Sequence, residues 1–395
     1  MTATANTGKA TLEDALDLCI KKIHTNIADI AAQTVPTTWA LAVDGDYTKW
    51  KESFYEIGNW TIGFFTGMAV LAWKKTGDDF FLKQLEALKP RMESKLEGEN
   101  GMNTMHDIGF LFSPYAVALY KLTGEKQYRD LGIKAADLLV TRFIDNGSYF
   151  RAWGRMDEIG TDYDGLAIID CLMNMPLLHW ASEVTGDSNY RELAIRHTDT
   201  TLANFVREDW SVSHSYRFDA QTGAPTGQDN YCGHHPDSQW ARGTTWAMYG
   251  FALAYSYTGD ERYLNASINI TRKFLAQLDD EIVPIWDFRL SEGYPDVRDA
   301  SAASVAVCAI QKLLELGHAD EAMIASKNDL LDRLVSPEYL DSDLSVRGLQ
   351  KKGEVGDGHD ADRHFYKGKH AYTSWGDYYL MEGLAQELGQ KVNWW

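Results

Sequence analysis

The sequence predicts an all-α protein, an (α/α)6 barrel built of helical hairpins. Three observations carry this. One short phrase recurs: Thr76-Gly77-Asp78-Asp79-Phe80-Phe81, Thr123-Gly124-Glu125-Lys126-Gln127-Tyr128, Thr185-Gly186-Asp187-Ser188-Asn189-Tyr190 and Thr258-Gly259-Asp260-Glu261-Arg262-Tyr263. Each copy closes one apolar helical run and opens another. Strand signals are short and confined to the stretches between these runs.

The phrase reads as an αα-hairpin connection. Met68 to Trp73, Tyr115 to Leu122, Leu177 to Val184 and Met248 to Tyr257 precede its four glycines. Glycine supplies the left-handed residue just past a helix end. The acidic residue after it caps the next helix, and the aromatic that follows packs back across the turn. Leu316-Gly317-His318-Ala319-Asp320 is a degenerate fifth copy. Repeats of this kind mean stacked helical units. Five or six hairpins in one closed ring imply inner helices that are apolar nearly all round, with a cleft at one end. An open solenoid would need more regular spacing. Ser148 to Trp153 and Ser213 to Phe218 are hairpin pieces within long loops. The stretches around 205–240 and 350–372 are polar and rich in Gly, Asp and His. Loops of that length in a compact domain are usually functional. No linker or low-complexity tract interrupts the chain, so residues 1–395 are read as one domain.

Composition narrows the function. There are 57 acidic side chains against 38 Lys and Arg, a net charge of −19. Nucleic acid and anionic membranes reward a basic face, so neither is an expected partner. A small anionic ligand still fits, because a few local cations overrule the average field. Thirteen Trp and twenty Tyr suit sugar faces as well as cores, with most assigned to the core. Cys19, Cys171, Cys232 and Cys308 form no C-x-x-C pair, which signals neither a disulfide framework nor a zinc knuckle. The N-terminus lacks a basic-then-apolar signal pattern, and no apolar run is long enough to span a bilayer. The expected compartment is the cytoplasm.

Two carboxylates sit where carboxylates are expensive. Asp170 lies within Gly165–Pro176, read as a helical stretch that is apolar on every side. Asn174 falls one turn later on the same face. A desolvated Asp without a cation nearby has a raised pKa, as a general acid requires. The competing reading is a structural Asp bonded to backbone or to Asn174. Asp107 precedes the apolar run Ile108 to Phe112, where an N-cap is the competing reading. Trp60-Thr61-Ile62-Gly63-Phe64 is either close helix packing or a ring platform at a cleft. Arg242 and Trp246 lie one helical turn apart, and Arg242 needs a partner: a substrate carboxylate or a protein one. His234-His235-Pro236-Asp237 lacks the spacing of a helical zinc site, so no metal and no cofactor are expected. No phosphate loop, dinucleotide fingerprint or nucleophile elbow is present.

Taken in order, these motifs resemble the unsaturated glucuronyl hydrolases of glycoside hydrolase family 88. The resemblance runs from about Trp60 to Trp375-Gly376-Asp377-Tyr378-Tyr379. It is carried by His106-Asp107-Ile108-Gly109-Phe110, Ile169-Asp170-Cys171-Leu172-Met173-Asn174, Trp240-Ala241-Arg242-Gly243 and Arg298-Asp299-Ala300-Ser301. It implies an (α/α)6 barrel that hydrates the vinyl ether of a Δ4,5-unsaturated uronic acid at the end of a lyase-generated oligosaccharide, sulfated or not. It implies Asp170 as general acid and base and Asp107 as the second essential carboxylate. His106 and His214, the rings of Trp60, Phe64, Trp153 and Trp246, Arg242, and Tyr366 in the late loop are implied substrate contacts. Cys232 stands where the family often has a Gln, and Thr244-Thr245 replaces the family's usual Gln-Ala. Both departures bear on which sugar is bound more than on the chemistry. Lys367, Lys369 and Ser374 are a candidate sulfate patch, with solvated loop residues as the alternative. A monomer or weak homodimer is expected. The rival functions are an unsaturated rhamnogalacturonyl hydrolase acting on pectin fragments, a sugar epimerase with paired His bases, and a non-catalytic sugar-binding barrel.

Overall fold

The computed structural model describes residues 4–32, 40–42, 44–49, 60–294, 297–356 and 370–395. Its first helices are α1 (Thr4–Ala32), α2 (Ile62–Thr76), α3 (Asp79–Ser94), the short α4 (Gly98–Met102), α5 (Ile108–Phe112), α6 (Ala118–Thr123) and α7 (Lys126–Val140). The second half adds α8 (Met175–Thr185), α9 (Ser188–Phe205), α10 (Ala241–Thr258), α11 (Glu261–Leu275), α12 (Ala300–Glu315), α13 (Glu321–Leu334) and α14 (Ser374–Glu387). A π-helical turn over Ser113–Val117 joins α5 to α6.

Burial sorts these helices into two rings. Helices α2, α5–α6, α8, α10, α12 and α14 are apolar on nearly every side, and each packs on the next, with α14 closing on α2. Helices α3, α7, α9, α11 and α13 each return along the outside of the inner helix before them, and α1 covers α14 and α2. This is the (α/α)6 barrel. A helix buried all round must lie inside such a ring, whereas the amphipathic returns face water.

The recurring phrase does the turning. Gly77, Gly124, Gly186 and Gly259 all adopt φ near +70°, at 68°, 72°, 78° and 69°. The preceding Thr bonds back to a helical carbonyl, and its Oγ accepts the acidic residue's N–H at 3.1 Å in all four copies. Asp78, Asp187 and Asp260 then cap the next helix, whereas Glu125 makes no side-chain cap bond. Glutamate's extra methylene carries its carboxylate past the N–H that aspartate reaches. Two of the aromatics do something other than pack across their own turn. Tyr190 bonds Asp137 on α7, and Tyr263 bonds Asp199 on α9 at 2.8 Å, so each ties its helix to the outer helix before it.

Among the described residues seven short strands lie in the inter-helix loops: β1 (Leu41–Ala42), β2 (Phe143–Ile144), β3 (Tyr149–Phe150), β4 (Leu166–Ile168), β5 (Ser215–Phe218), β6 (Pro225–Asp229) and β7 (Tyr372–Thr373). They pair antiparallel as β1–β7, β2–β3 and β4–β5–β6. The expected helix over Gly165–Pro176 is therefore corrected. Gly165 turns at φ +74°, Leu166–Ile168 pairs with β5, and Ile169–Asn174 is a 3₁₀ turn leading into α8. The β-branched Ile168, the last residue of β4, favours extended backbone over helix. The terminal Trp394 and Trp395 are buried. Their indole N–H groups bond Tyr378 Oη at 2.9 and 3.1 Å, and Trp395 also bonds Glu382 at 2.8 Å. No described helix is long and apolar enough to cross a membrane.

Candidate active site

Strand pairing, not helix periodicity, assembles the centre. In the β4–β5 register Ile168 faces Ser215, and Ile169 N–H donates to the His214 carbonyl at 3.0 Å. That sets Asp170 beside His214, with His214 Nε2 3.9 Å from Asp170 Oδ2. His214 Nδ1 accepts the backbone N–H groups of Tyr231 and Cys232, both at 3.0 Å. A nitrogen accepting two donors carries no proton, so the proton of neutral His214 is on Nε2, facing Asp170.

Asp107 approaches from another direction. It occupies the N-cap position of α5, yet its side chain makes no cap bond. The cap reading therefore fails for the carboxylate, which is left to the site. His106 is buried, its backbone N–H is held by the Ala152 carbonyl at 3.0 Å, and its Nε2 lies 3.5 Å from Asp107 Oδ1. Asn174 locks the two segments together. Its Oδ1 accepts Phe110 N–H at 2.8 Å, and its Nδ2 donates to the Asp170 carbonyl at 3.3 Å. Sequence reading placed Asn174 near Asp170 but not on α5. The signal was Gly109, where a Cβ would fall 2.5 Å from Asn174 Cα.

Both carboxyls hold protons unusually well. Burial pushes Asp170 up to about 7, opposed by the charge of Arg242. Burial and the charge of Asp170 push Asp107 up to about 8, opposed by Arg142. The repulsion is mutual, so the titration belongs to the pair. Among the described residues Asp170 Oδ2, which is buried, has no hydrogen-bond partner. The Trp246 indole N–H falls short of bonding geometry but lies near enough to favour the charged form of Asp170. Burial also holds His106 neutral, well below the ordinary histidine range.

The expected contact residues divide in two. Trp60 and Trp153 are half-buried rings: Trp60 stacks on Trp375 at 5.0 Å, and Trp153 meets Tyr231 edge-on at 4.7 Å. Phe64 and Trp246 are fully buried. Phe64 packs among Trp60, Phe110, Tyr378 and Tyr379, and Trp246 between Phe110 and Tyr379. Neither has a free face for a sugar; Trp246 bears on the site through its N–H. Arg242 takes the protein partner. It bonds Asp299 at 2.8 Å, Ser301 at 3.1 Å and the carbonyls of Glu354 and Val355, between the rings of Trp240 and Trp375. Cys232 is half-buried beside His214. Ser374 is fully buried at the start of α14, which removes it from any sulfate patch. Tyr366, Lys367 and Lys369 lie outside the described residues. Among the described residues no three His, Cys, Asp or Glu side chains converge to hold a metal ion.

Residues 32–380 match Glycosyl Hydrolase Family 88. The chain is 32% identical over 379 residues to the unsaturated chondroitin disaccharide hydrolase of Streptococcus pyogenes serotype M1, covering 95% of this chain and 90% of that one. The crystal structure of the unsaturated glucuronyl hydrolase of Streptococcus agalactiae superposes with a TM-score of 0.85 at 30% identity, covering 98% of this chain and 94% of that one. A variant of the same S. agalactiae enzyme complexed with dGlcA-GalNAc6S superposes with a TM-score of 0.78 at 28% identity, covering 98% and 94%.

Proposed function

This chain belongs to Glycosyl Hydrolase Family 88, and we propose that Asp170 and Asp107 carry its reaction on a Δ4,5-unsaturated uronic acid. The enzyme is an unsaturated glucuronyl hydrolase. It releases the terminal unsaturated sugar from lyase-generated oligosaccharides by hydrating the vinyl ether. The observation that carries the residue assignment is the buried pair itself: two carboxyls with raised proton affinity, of which Asp170 has an oxygen, Oδ2, without a hydrogen-bond partner among the described residues.

The C4=C5 bond of the substrate is conjugated to its ring oxygen. Protonated Asp170 delivers its proton to C4, forming a C–H bond as the double bond is consumed. Positive charge develops at C5 and the ring oxygen. Ionised Asp170 then takes a proton from the water that adds to C5. The resulting hemiketal opens to a 5-keto sugar and frees the neighbouring residue through C1. The glycosidic bond is not attacked directly, so carboxylate spacing carries no stereochemical message here. Asp107 positions Asp170 or the sugar hydroxyls, and the half-buried rings of Trp60 and Trp153 take the pyranose faces. The His214 ring is oriented by backbone N–H groups at Nδ1, with Nε2 3.9 Å from Asp170 Oδ2. That supports an orienting role over the paired free bases of an epimerase.

The pH profile follows from the sign of the shifts. Its raised pKa keeps a large share of the Asp170 carboxyl protonated near neutrality, and that proton is lost as pH climbs. Turnover is therefore expected to peak on the acid side of neutral and fall as pH passes through about 7 to 8. A kcat/KM profile that stays flat into strongly alkaline buffer contradicts the assignment.

The direct test follows ultraviolet absorbance of lyase-derived unsaturated disaccharides: sulfated and unsulfated glycosaminoglycan units, and a pectin-derived unit. Hydration destroys the conjugated chromophore. A falling signal on a glucuronyl member is the expected result and names the preferred partner. Turnover of the pectin unit alone points to the rhamnogalacturonyl reading. No change with folded protein removes Asp170 from catalysis.

A further inference from the structure

Arg142 is a buried arginine for which no carboxylate lies within ion-pair distance among the described residues. It follows α7 and is only 2% exposed. Its guanidinium is spent on carbonyl oxygens. Nε donates to Arg151 O at 2.9 Å and Nη1 to Thr104 O at 2.7 Å. Nη2 donates to Ala152 O at 3.3 Å and Gly154 O at 3.0 Å. Two of the segments so joined matter. Thr104 begins the turn that ends in His106 and Asp107, and residues 151–154 carry Trp153. Ala152 O also accepts His106 N–H, so one carbonyl is shared by the arginine and the site histidine.

Neutral donors could hold four carbonyls. A buried, unpaired positive charge is a costly way to do so, and its cost calls for an electrostatic return. We propose that Arg142 is a positioning residue of the active site, tying the Asp107 turn to the Trp153 loop and supplying the fixed positive charge against which Asp107 ionises. This rests on the assignment of Asp107 to the reaction given above.

The field around Asp107 is made by few groups. Asp170, on the turn after β4, repels its negative form, and Arg142 stabilises it. His106 lies beside it, and His197 from α9 and His214 before β5 face His106. Cys171 interacts with both Asp107 and Arg142, and Arg151 acts on Arg142. Burial lowers the Arg142 pKa to about 10, which leaves it charged at neutrality. Arg142 is thus the cation that opposes the burial and repulsion raising Asp107.

Arg142→Gln removes the charge and keeps amide donors. The alkaline limb of its kcat/KM profile is expected to move up by about half a pH unit or more. Arg142→Lys keeps the charge but loses the planar fork, so its limb stays native while kcat/KM falls about tenfold. A Gln variant whose limb does not move overturns the proposal, whatever its rate, since loss of structure alone lowers rate without shifting ionisation. If the Gln variant does not fold, native kcat/KM or a displaced limb in the Lys variant overturns it. Carboxyl 13C NMR, with the Asp107 signal identified by its loss in Asp107→Asn, separates the two readings. An inactive native chain defeats the functional reading; the Asp107 titration, raised or unmoved by Arg142→Gln, still decides the role of Arg142.

Discussion

Asp170→Asn is expected to keep the fold, raise stability in mildly alkaline buffer and lower kcat by about 10³-fold or more. The amide has the carboxyl's shape but no proton acidic enough to give to a vinyl carbon. The stability gain separates this reading from a structural Asp. In the native chain Asp170 Oδ2 is buried without a hydrogen-bond partner among the described residues, a cost that Arg242 and Trp246 only partly offset once the group ionises. Its folded-state pKa of about 7 lies above the ordinary aspartate value of 3.8. Between those values the folded state holds a proton that the unfolded chain has lost. Stability then falls as pH rises through that window, and the full penalty is present above about 7. Asparagine does not titrate, so the variant escapes the penalty, and its thermal midpoint at pH 8 is expected to exceed the native one. A structural Asp would give the reverse pattern: a lower midpoint and near-native turnover.

How far the chain was legible depends on the range of each signal. Hairpins were readable because their cause is local. Thr, Gly and Asp within three positions supply the back-bond, the left-handed residue and the cap, and Glu125 departs only through its longer side chain. The inner helices were readable from their all-round apolar character. The site was legible in composition but not in geometry. Asp170 was singled out because a carboxylate amid apolar residues is costly, yet its backbone was read as helix. The partner that holds the residues just before it in a strand, β5, lies a helical hairpin away in sequence. Arg242 left two partners open, and only the fold brings Asp299 to it. The ring platforms were the least legible. Trp60 and Trp246 look alike in sequence, and exposure separates them only after the barrel closes. Arg142 gave no sequence signal at all, because carbonyl acceptors carry no side-chain identity.

Gly109→Ala is expected to damage both stability and turnover, because one contact fixes both. A Cβ there would fall 2.5 Å from Asn174 Cα, 2.7 Å from Oδ1 and 2.8 Å from Cβ. Cα and Cβ move only with the backbone, and Oδ1, though at the end of its side chain, is held by a hydrogen bond. Asn174 is itself pinned, accepting Phe110 N–H and donating to the Asp170 carbonyl. Helix propensity favours Ala over Gly by up to about 1 kcal/mol, while overpacking costs about 1–3 kcal/mol, so steric strain decides the sign. To relieve the overlap, α5 must move away from the 3₁₀ turn, and Asp107 moves with it relative to Asp170. A displacement of about 1 Å at a reacting group costs on the order of 10²-fold in rate. The control is Gly186→Ala, at a hairpin turn with open space around the Cβ and φ of +78°. It pays about 1–2 kcal/mol for the left-handed backbone and leaves the two carboxylates undisturbed. Thermal midpoints and kcat for both variants separate the cases. Comparable stability losses with kcat reduced only in Gly109→Ala place the α5–Asn174 contact in control of the carboxylate pair. Native kcat in a destabilised Gly109→Ala would mean that Asp107 tolerates displacement, and its assignment to the reaction would fall.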